Sequence, residues 1–157
     1  MKPGPTQIAY VGLGANLGNA RETLRQALAD LDRLPSTRLL RASSLYRSAP
    51  VDAQGPDFWN AVASVETQLA PDELLAALQT LELAAGRERP YRNAPRTLDL
   101  DLLLHGTVRQ GDPALTLPHP RMRERAFVLL PLSEIAPDLV DAGDLARVAD
   151  QRIQRLT

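Results

Sequence analysis

The run Pro95-Arg96-Thr97-Leu98-Asp99-Leu100-Asp101-Leu102 alternates leucine with polar residues. That is the period of a strand with one buried face. It predicts a strand over residues 97–104, with Leu98, Leu100 and Leu102 on one side and Asp99 and Asp101 on the other. Working upstream, Pro71 suits a first helical position, with Asp72 and Glu73 in the dipole-favoured first turn. Leu74, Leu75, Leu78 and Leu81 then mark the apolar face of a helix that Gly86 can end. Residues 58–68 carry Val62, Val65 and Thr67 and read as a strand, as do residues 37–47. Before them, Asn19 and Glu22 form a capping-box pattern that starts a helix. Leu24, Leu28, Leu31 and Leu34 recur at helical spacing in it, and Pro35 ends it. Residues 8–13 read as the first strand, running into a turn-rich segment over residues 12–19. The order strand, helix, strand, strand, helix, strand predicts an α+β, ferredoxin-like βαββαβ core, an antiparallel sheet with helices packed on it. The tail from Thr107 onward is expected to add a hairpin and short helices.

The chain has 157 residues, 44 % of them hydrophobic, which suits a single domain spanning residues 1–157. A net charge of -1 gives no bulk attraction to nucleic acid or to an anionic membrane. There are no cysteines, so disulfides, thiolate metal sites and a cysteine nucleophile are excluded. The first apolar run is short and broken by Gly12, Gly14 and Asn16. It reads as strand and loop, not as a signal peptide or membrane span, so a cytoplasmic protein is expected. Lys2 is the only lysine, and nearly all positive charge is arginine, the side chain that grips phosphate in a two-pronged fork.

Three constellations carry chemistry. Asp99 and Asp101 sit two apart on a strand, roughly 7 Å between alpha carbons and on one face. Side by side they repel unless a cation lies between them, and hard oxygen ligands suit magnesium. A solvated acidic strand face explains the pair alone equally well. Arg87, Arg89, Arg92 and Arg96 precede it in one loop, where cations can neutralise phosphates. The second constellation is Leu117-Pro118-His119-Pro120, followed by Arg121, Arg123 and Arg125. Two prolines hold His119 in a stiff loop, where it serves either structure or a phosphate. In the third, Phe58 and Asn60 lie close together at a strand start and Phe127 follows the arginines. Two aromatic faces and an amide suit a flat heterocycle, although core packing also explains each ring. The glycine-rich segment 12–18 is no P-loop, since no Gly-Lys-Ser/Thr follows, and by itself it signals a tight turn.

Four segments taken together resemble one family: Tyr10-Val11-Gly12-Leu13-Gly14-Ala15-Asn16-Leu17-Gly18, Ser43-Ser44-Leu45-Tyr46-Arg47-Ser48, Pro95 to Asp101, and Leu117-Pro118-His119-Pro120 with Arg125. The chain resembles the 6-hydroxymethyl-7,8-dihydropterin pyrophosphokinases over residues 8–139. The resemblance implies transfer of diphosphate from MgATP to the reduced pterin, giving AMP and the pterin diphosphate in folate biosynthesis. It implies that Asp99 and Asp101 bind two magnesium ions, and that Arg87 and Arg96 act with them on the phosphates. Gln79, Glu82, Arg89, His119 and Arg125 are its implied ATP-side residues. Ser48, Ala49, Val51, Phe58, Asn60 and Phe127 are its implied pterin-side residues. Small-molecule substrates and a monomer are expected, without nucleic acid or membrane partners. Asn93-Ala94 stands where many members carry a tryptophan-glycine pair. A rival reading is a non-catalytic nucleotide-binding module or an inactive relative.

Overall fold

A computed structural model describes residues 5–16, 18–49, 57–85 and 98–156. Its elements follow the expected order: β1 (Gln7–Ala15), α1 (Ala20–Leu31), β2 (Thr37–Ala42), β3 (Tyr46–Ser48), β4 (Phe58–Thr67), α2 (Pro71–Ala85) and β5 (Asp99–His105). A tail follows, with β6 (Gln110–Gly111), β7 (Thr116–Leu117), α3 (Ala126–Ile135), α4 (Ala142–Arg147) and β8 (Ile153–Arg155). The main sheet runs β5-β1-β4-β3-β8, with β2 also on β4, and every pairing in it is antiparallel. This is the ferredoxin-like arrangement with additions at the C-terminal end. Among the described residues no helix is long and apolar enough to cross a membrane.

The two faces of the sheet do different work. Ala9, Val11, Leu13 and Ala15 of β1 meet Ala63 and Val65 of β4 and Leu98, Leu100 and Leu102 at β5. On these pack Leu24 and Leu31 of α1 and Leu74 and Leu78 of α2, all fully buried. On the opposite face Val62 and Leu103 pack with Met122 and with Val128, Leu132 and Ile135 of α3. α3 covers only part of that face.

Three expectations are corrected. β1 does not stop at Leu13: Gly12 and Gly14 are strand residues paired on both sides, and the turn comes later, with Gly18 at φ 59. Asn19 caps α1 by accepting from the Glu22 N–H at 3.2 Å, but the helix ends at Leu31, short of Leu34. The single strand expected over residues 37–47 is two. Ala42 faces Ala63 and Tyr46 faces Asn60, so three residues stand opposite two. In that gap Ser43 bonds Val62 with its backbone N–H (2.9 Å) and accepts from the Val62 N–H with its hydroxyl (3.0 Å), replacing one ladder bond.

The Ser44 N–H freed by this bulge goes to Glu134 of α3 at 2.9 Å. The same carboxylate accepts from the Ser44 hydroxyl (3.0 Å) and the Tyr46 hydroxyl (2.8 Å), with Arg155 of β8 3.8 Å away. Three elements, α3, β3 and β8, and the bulge at Ser44 thus meet at one acidic group that holds β3 in place. Burial alone would push the Glu134 pKa up. Hydrogen bonds from Tyr46 and Ser44, with the charge of Arg155, outweigh it and hold the group below 4.5. Burial and the same carboxylate push the Tyr46 phenol up to about 12. A depressed carboxylate adds stability above its unfolded pKa and loses it as pH falls through the folded value. A raised phenol adds stability below pH 10 and loses it as pH climbs towards 12. Ultraviolet titration should therefore find one of the three tyrosines ionising near pH 12. In Glu134→Gln that step should move down, and the acid-side loss of stability, followed by urea unfolding, should shrink.

Candidate active site

Where α3 stops short, a cavity of about 1030 Å³ opens on the sheet. Strand register decides what faces it. Gly12 of β1 lies opposite Asp101 of β5, and Gly14 opposite Asp99. On its other side Gly14 faces Asn60 of β4, and Asn60 faces Tyr46 of β3. Across the floor the order is therefore carboxylate, glycine, amide. The glycines carry nothing that would fill the space: a Cβ on Gly14 would already touch Asn60 Oδ1 at 3.5 Å and Phe58 at 3.8 Å.

Asp99, Asp101, Ser48, Ala49, Phe58, Asn60, Arg125 and Phe127 all line this cavity. The structure brings these eight expected site residues together. The Asn60 NH₂ donates to Ser48 Oγ at 2.8 Å and leans on the Phe58 carbonyl at 3.4 Å. Its Oδ1 is thereby turned towards Gly14, an acceptor presented to the cavity. The Arg125 guanidinium lies 5.4 Å from the centroid of the Phe127 ring, a cation–π contact, and the partly buried ring also packs against the core beneath α3.

Two aspartates on one strand face, opposite side-chain-free glycines, give a hard oxygen donor set with room above it. Among the described residues no group of three or more His, Cys, Asp or Glu surrounds a common point. The pair therefore fits a cation that fills the rest of its shell from water or a ligand, as magnesium does.

His119 sits beside this end. Its N–H donates to the Leu103 carbonyl of β5 (2.9 Å), and its Nδ1 accepts from the Arg121 N–H (3.2 Å). The neutral ring is thereby set to carry its proton on Nε2, although His119 does not itself line the cavity. Burial lowers its pKa below 6.5; Asp101 pulls it up, and Arg125 and Arg121 push it down further. Gln79 and Glu82 lie elsewhere: neither lines the cavity. Gln79 is exposed on α2, and Glu82 accepts from the Leu100 N–H at 2.8 Å, between the two aspartates. Glu82 so braces the backbone that carries the pair. Val51, Arg87, Arg89, Arg92 and Arg96 lie outside the described residues.

Reading the sequence missed Gly12 and Gly14 as a cavity floor, and Gln151 and Arg152 in its wall. The period-two placing of the glycines, between Val11, Leu13 and Ala15, was the available signal.

The model of the 7,8-dihydro-6-hydroxymethylpterin-pyrophosphokinase (HPPK) family matches residues 10–137. The chain belongs to the HPPK family. It is 52 % identical over 134 residues to a Pseudomonas aeruginosa protein named 2-amino-4-hydroxy-6-hydroxymethyldihydropteridine pyrophosphokinase, covering 85 % of this chain and 83 % of that one. A Methylorubrum extorquens protein of the same name is 42 % identical, covering 90 % of each chain. Wild-type Plasmodium falciparum HPPK-DHPS has a crystal structure that superposes with a TM-score of 0.65 at 15 % identity. That match covers 85 % of this chain but 38 % of the longer one, and at that identity it shows the fold alone.

A histidine with a lowered pKa favours the neutral form in the folded state. Its contribution is complete above pH 6.5 and is lost as pH falls from there through the folded value. In metal-free protein, NMR titration of the His119 ring should give a midpoint below 6.5.

Proposed function

We propose that this HPPK-family chain moves the terminal diphosphate of MgATP onto the hydroxymethyl group of 6-hydroxymethyl-7,8-dihydropterin, releasing AMP, in folate biosynthesis. One observation carries the reading. A single cavity joins the double carboxylate of Asp99 and Asp101 to the slot of Phe58, Asn60 and Phe127, across the glycine floor. Polyphosphate chemistry and a flat heterocycle are thereby within reach of each other.

In this reaction the pterin hydroxyl oxygen attacks the β-phosphorus, the bond from that phosphorus to the α,β-bridging oxygen breaks, and AMP leaves with that oxygen. The hydroxyl proton passes to solvent. Phe58 and Phe127 stack on the pterin, and Asn60 Oδ1 accepts from its edge. Ser48, through its bond to Asn60, and Ala49 close the end of the slot. Asp99 and Asp101 hold two magnesium ions, which when bound neutralise the phosphates and orient the attacking oxygen. His119 Nε2–H and the Arg125 guanidinium donate to the nucleotide phosphates. Arg87, Arg89 and Arg96 supply further charge against the moving diphosphate. Gln79 and Glu82 flank the nucleotide from α2. Positioning and charge stabilisation do most of the work, since phosphoryl transfer asks little covalent chemistry of the protein. We take the unit to be a single domain, acting as a monomer in the cytoplasm.

Mixing the pure protein with MgATP and 6-hydroxymethyl-7,8-dihydropterin should give AMP and pterin diphosphate in equal amounts. Asp99→Ala and Asp101→Ala should each lower turnover by at least about 10²-fold with the melting temperature preserved. A folded protein that binds ATP but makes no AMP would favour the binding-module reading.

A further inference from the structure

The first turn of α3 is itself a cavity wall: Arg125, Ala126, Phe127 and Val128 all line it. An α-helix leaves its first N–H groups without partners inside the helix, and Ser, Thr, Asp or Asn at the N-cap usually supplies one. Here the N-cap is Arg125, which makes no side-chain cap bond. The partner comes from the far end of the chain. Gln151 Oε1 accepts from the Ala126 N–H at 2.9 Å, and Gln151 Nε2–H donates to the Glu124 carbonyl at 2.8 Å. One carboxamide thus bonds the backbone on both sides of Arg125, as a neighbouring strand would.

Gln151 is well placed to set that backbone. Its own N–H is tied to the Val148 carbonyl at 3.0 Å, and Val148 packs with Ala126 and Leu129. Two residues on, Ile153 opens β8 and pairs with Ser48 of β3, the opposite wall. The segment therefore joins the Ser48 wall to the Phe127 wall, and Gln151 and Arg152 line the cavity between them. Gln151 lies beyond the residues 10–137 that match the family.

We propose that Gln151 is a positioning residue: its amide fixes the backbone at residues 124–126, and with it the aim of Arg125 and Phe127 into the cavity. The identity of the ligands rests on the pyrophosphokinase reading above. The chemistry asks for glutamine in particular. Glutamate lacks the donor for the Glu124 carbonyl, and methionine has the length but neither hydrogen bond. Because Gln151 acts on side chains that hold substrate rather than on reacting atoms, its loss should appear in KM before kcat.

The test compares Gln151→Met with Gln154→Met, a variant on the same segment whose glutamine bonds only the exposed Arg47 among the contacts seen. Gln151→Met should raise KM for the pterin about five-fold or more with kcat within about two-fold, while Gln154→Met leaves both unchanged. A lowered melting temperature with both KM values within about two-fold of wild type would overturn the proposal. So would an equal KM rise in Gln154→Met, which would mean general loosening of β8. A wild-type protein without turnover would defeat the proposed reaction instead. The clamp is then decided by calorimetric binding of the magnesium complex of α,β-methylene-ATP, which must weaken at least about three-fold in Gln151→Met.

Discussion

β1 is hydrogen-bonded along both edges, to β4 from Gln7 opposite Thr67 to Ala15 opposite Trp59, and to β5 from Ala9 opposite His105 to Gly14 opposite Asp99. A slip of one residue would turn Val11 and Leu13 into the cavity and put Gly12 and Gly14 beneath the two helices. Burying a valine or leucine side chain is worth roughly 1.5–3 kcal/mol, and glycine offers nothing in its place. The dry core under α1 and α2 therefore sets the register. Register in turn sets Gly12 against Asp101 and Gly14 against Asp99 and Asn60. The cavity face is positioned by packing on the opposite face of the sheet.

The flanks of the sheet are secured by polar groups rather than by more core. At β5, the Leu100 N–H finds Glu82 of α2, and the Leu103 carbonyl finds the N–H of His119. Each bond satisfies a backbone group of a strand whose only sheet neighbour among the described residues is β1, and each also places something useful. Glu82 braces the peptide between the aspartates, and His119 is delivered beside Asp101. At the other flank Glu134 gathers Ser44, Tyr46 and Arg155. Removing one member of such a cluster strands the others, so it specifies the position of β3 more than it stabilises the fold.

The core was legible because its signals are local. Leu98, Leu100 and Leu102 alternate, Leu74 and Leu78 recur at helical spacing, and the resulting order admits few topologies. Three features were not legible, each for a physical reason. Glycine signals a turn more often than a strand, so Gly12 and Gly14 pointed the wrong way although their spacing suited a strand. The break between β2 and β3 depends on Glu134, 90 residues from Ser44 in sequence. β8 is three residues long, mostly polar, and is held by pairing with β3 and by the Leu156 N–H on the Leu45 carbonyl, a contact that no local pattern encodes. Of the site, the carboxylate pair, the two phenylalanines and Asn60 were read from residue type and spacing with a family resemblance. The wall made by Gln151 was invisible, because only the folded chain brings residue 151 beside residue 125.

Net charge misleads here for a related reason. The chain carries -1 overall, and among the described residues the cavity lining also balances, with Asp99, Asp101 and Glu124 against Arg121, Arg125 and Arg152. What matters is that the paired carboxylates stand apart from the arginines, with Glu124 alone placed among them. The aspartate pair stands on β5, while the arginines come from the turn before α3 and the approach to β8. A polyphosphate is repelled at the first end until a divalent cation screens it, and is attracted at the second without help. Arginine suits that second role better than lysine. Its planar fork matches phosphate oxygens, and Arg125 can lie over the Phe127 ring while its N–H donors remain directed outward in the guanidinium plane. One side chain then spans the cationic and aromatic parts of the cavity, so on the proposed reading disturbing the backbone beneath Arg125 would reach both substrates at once.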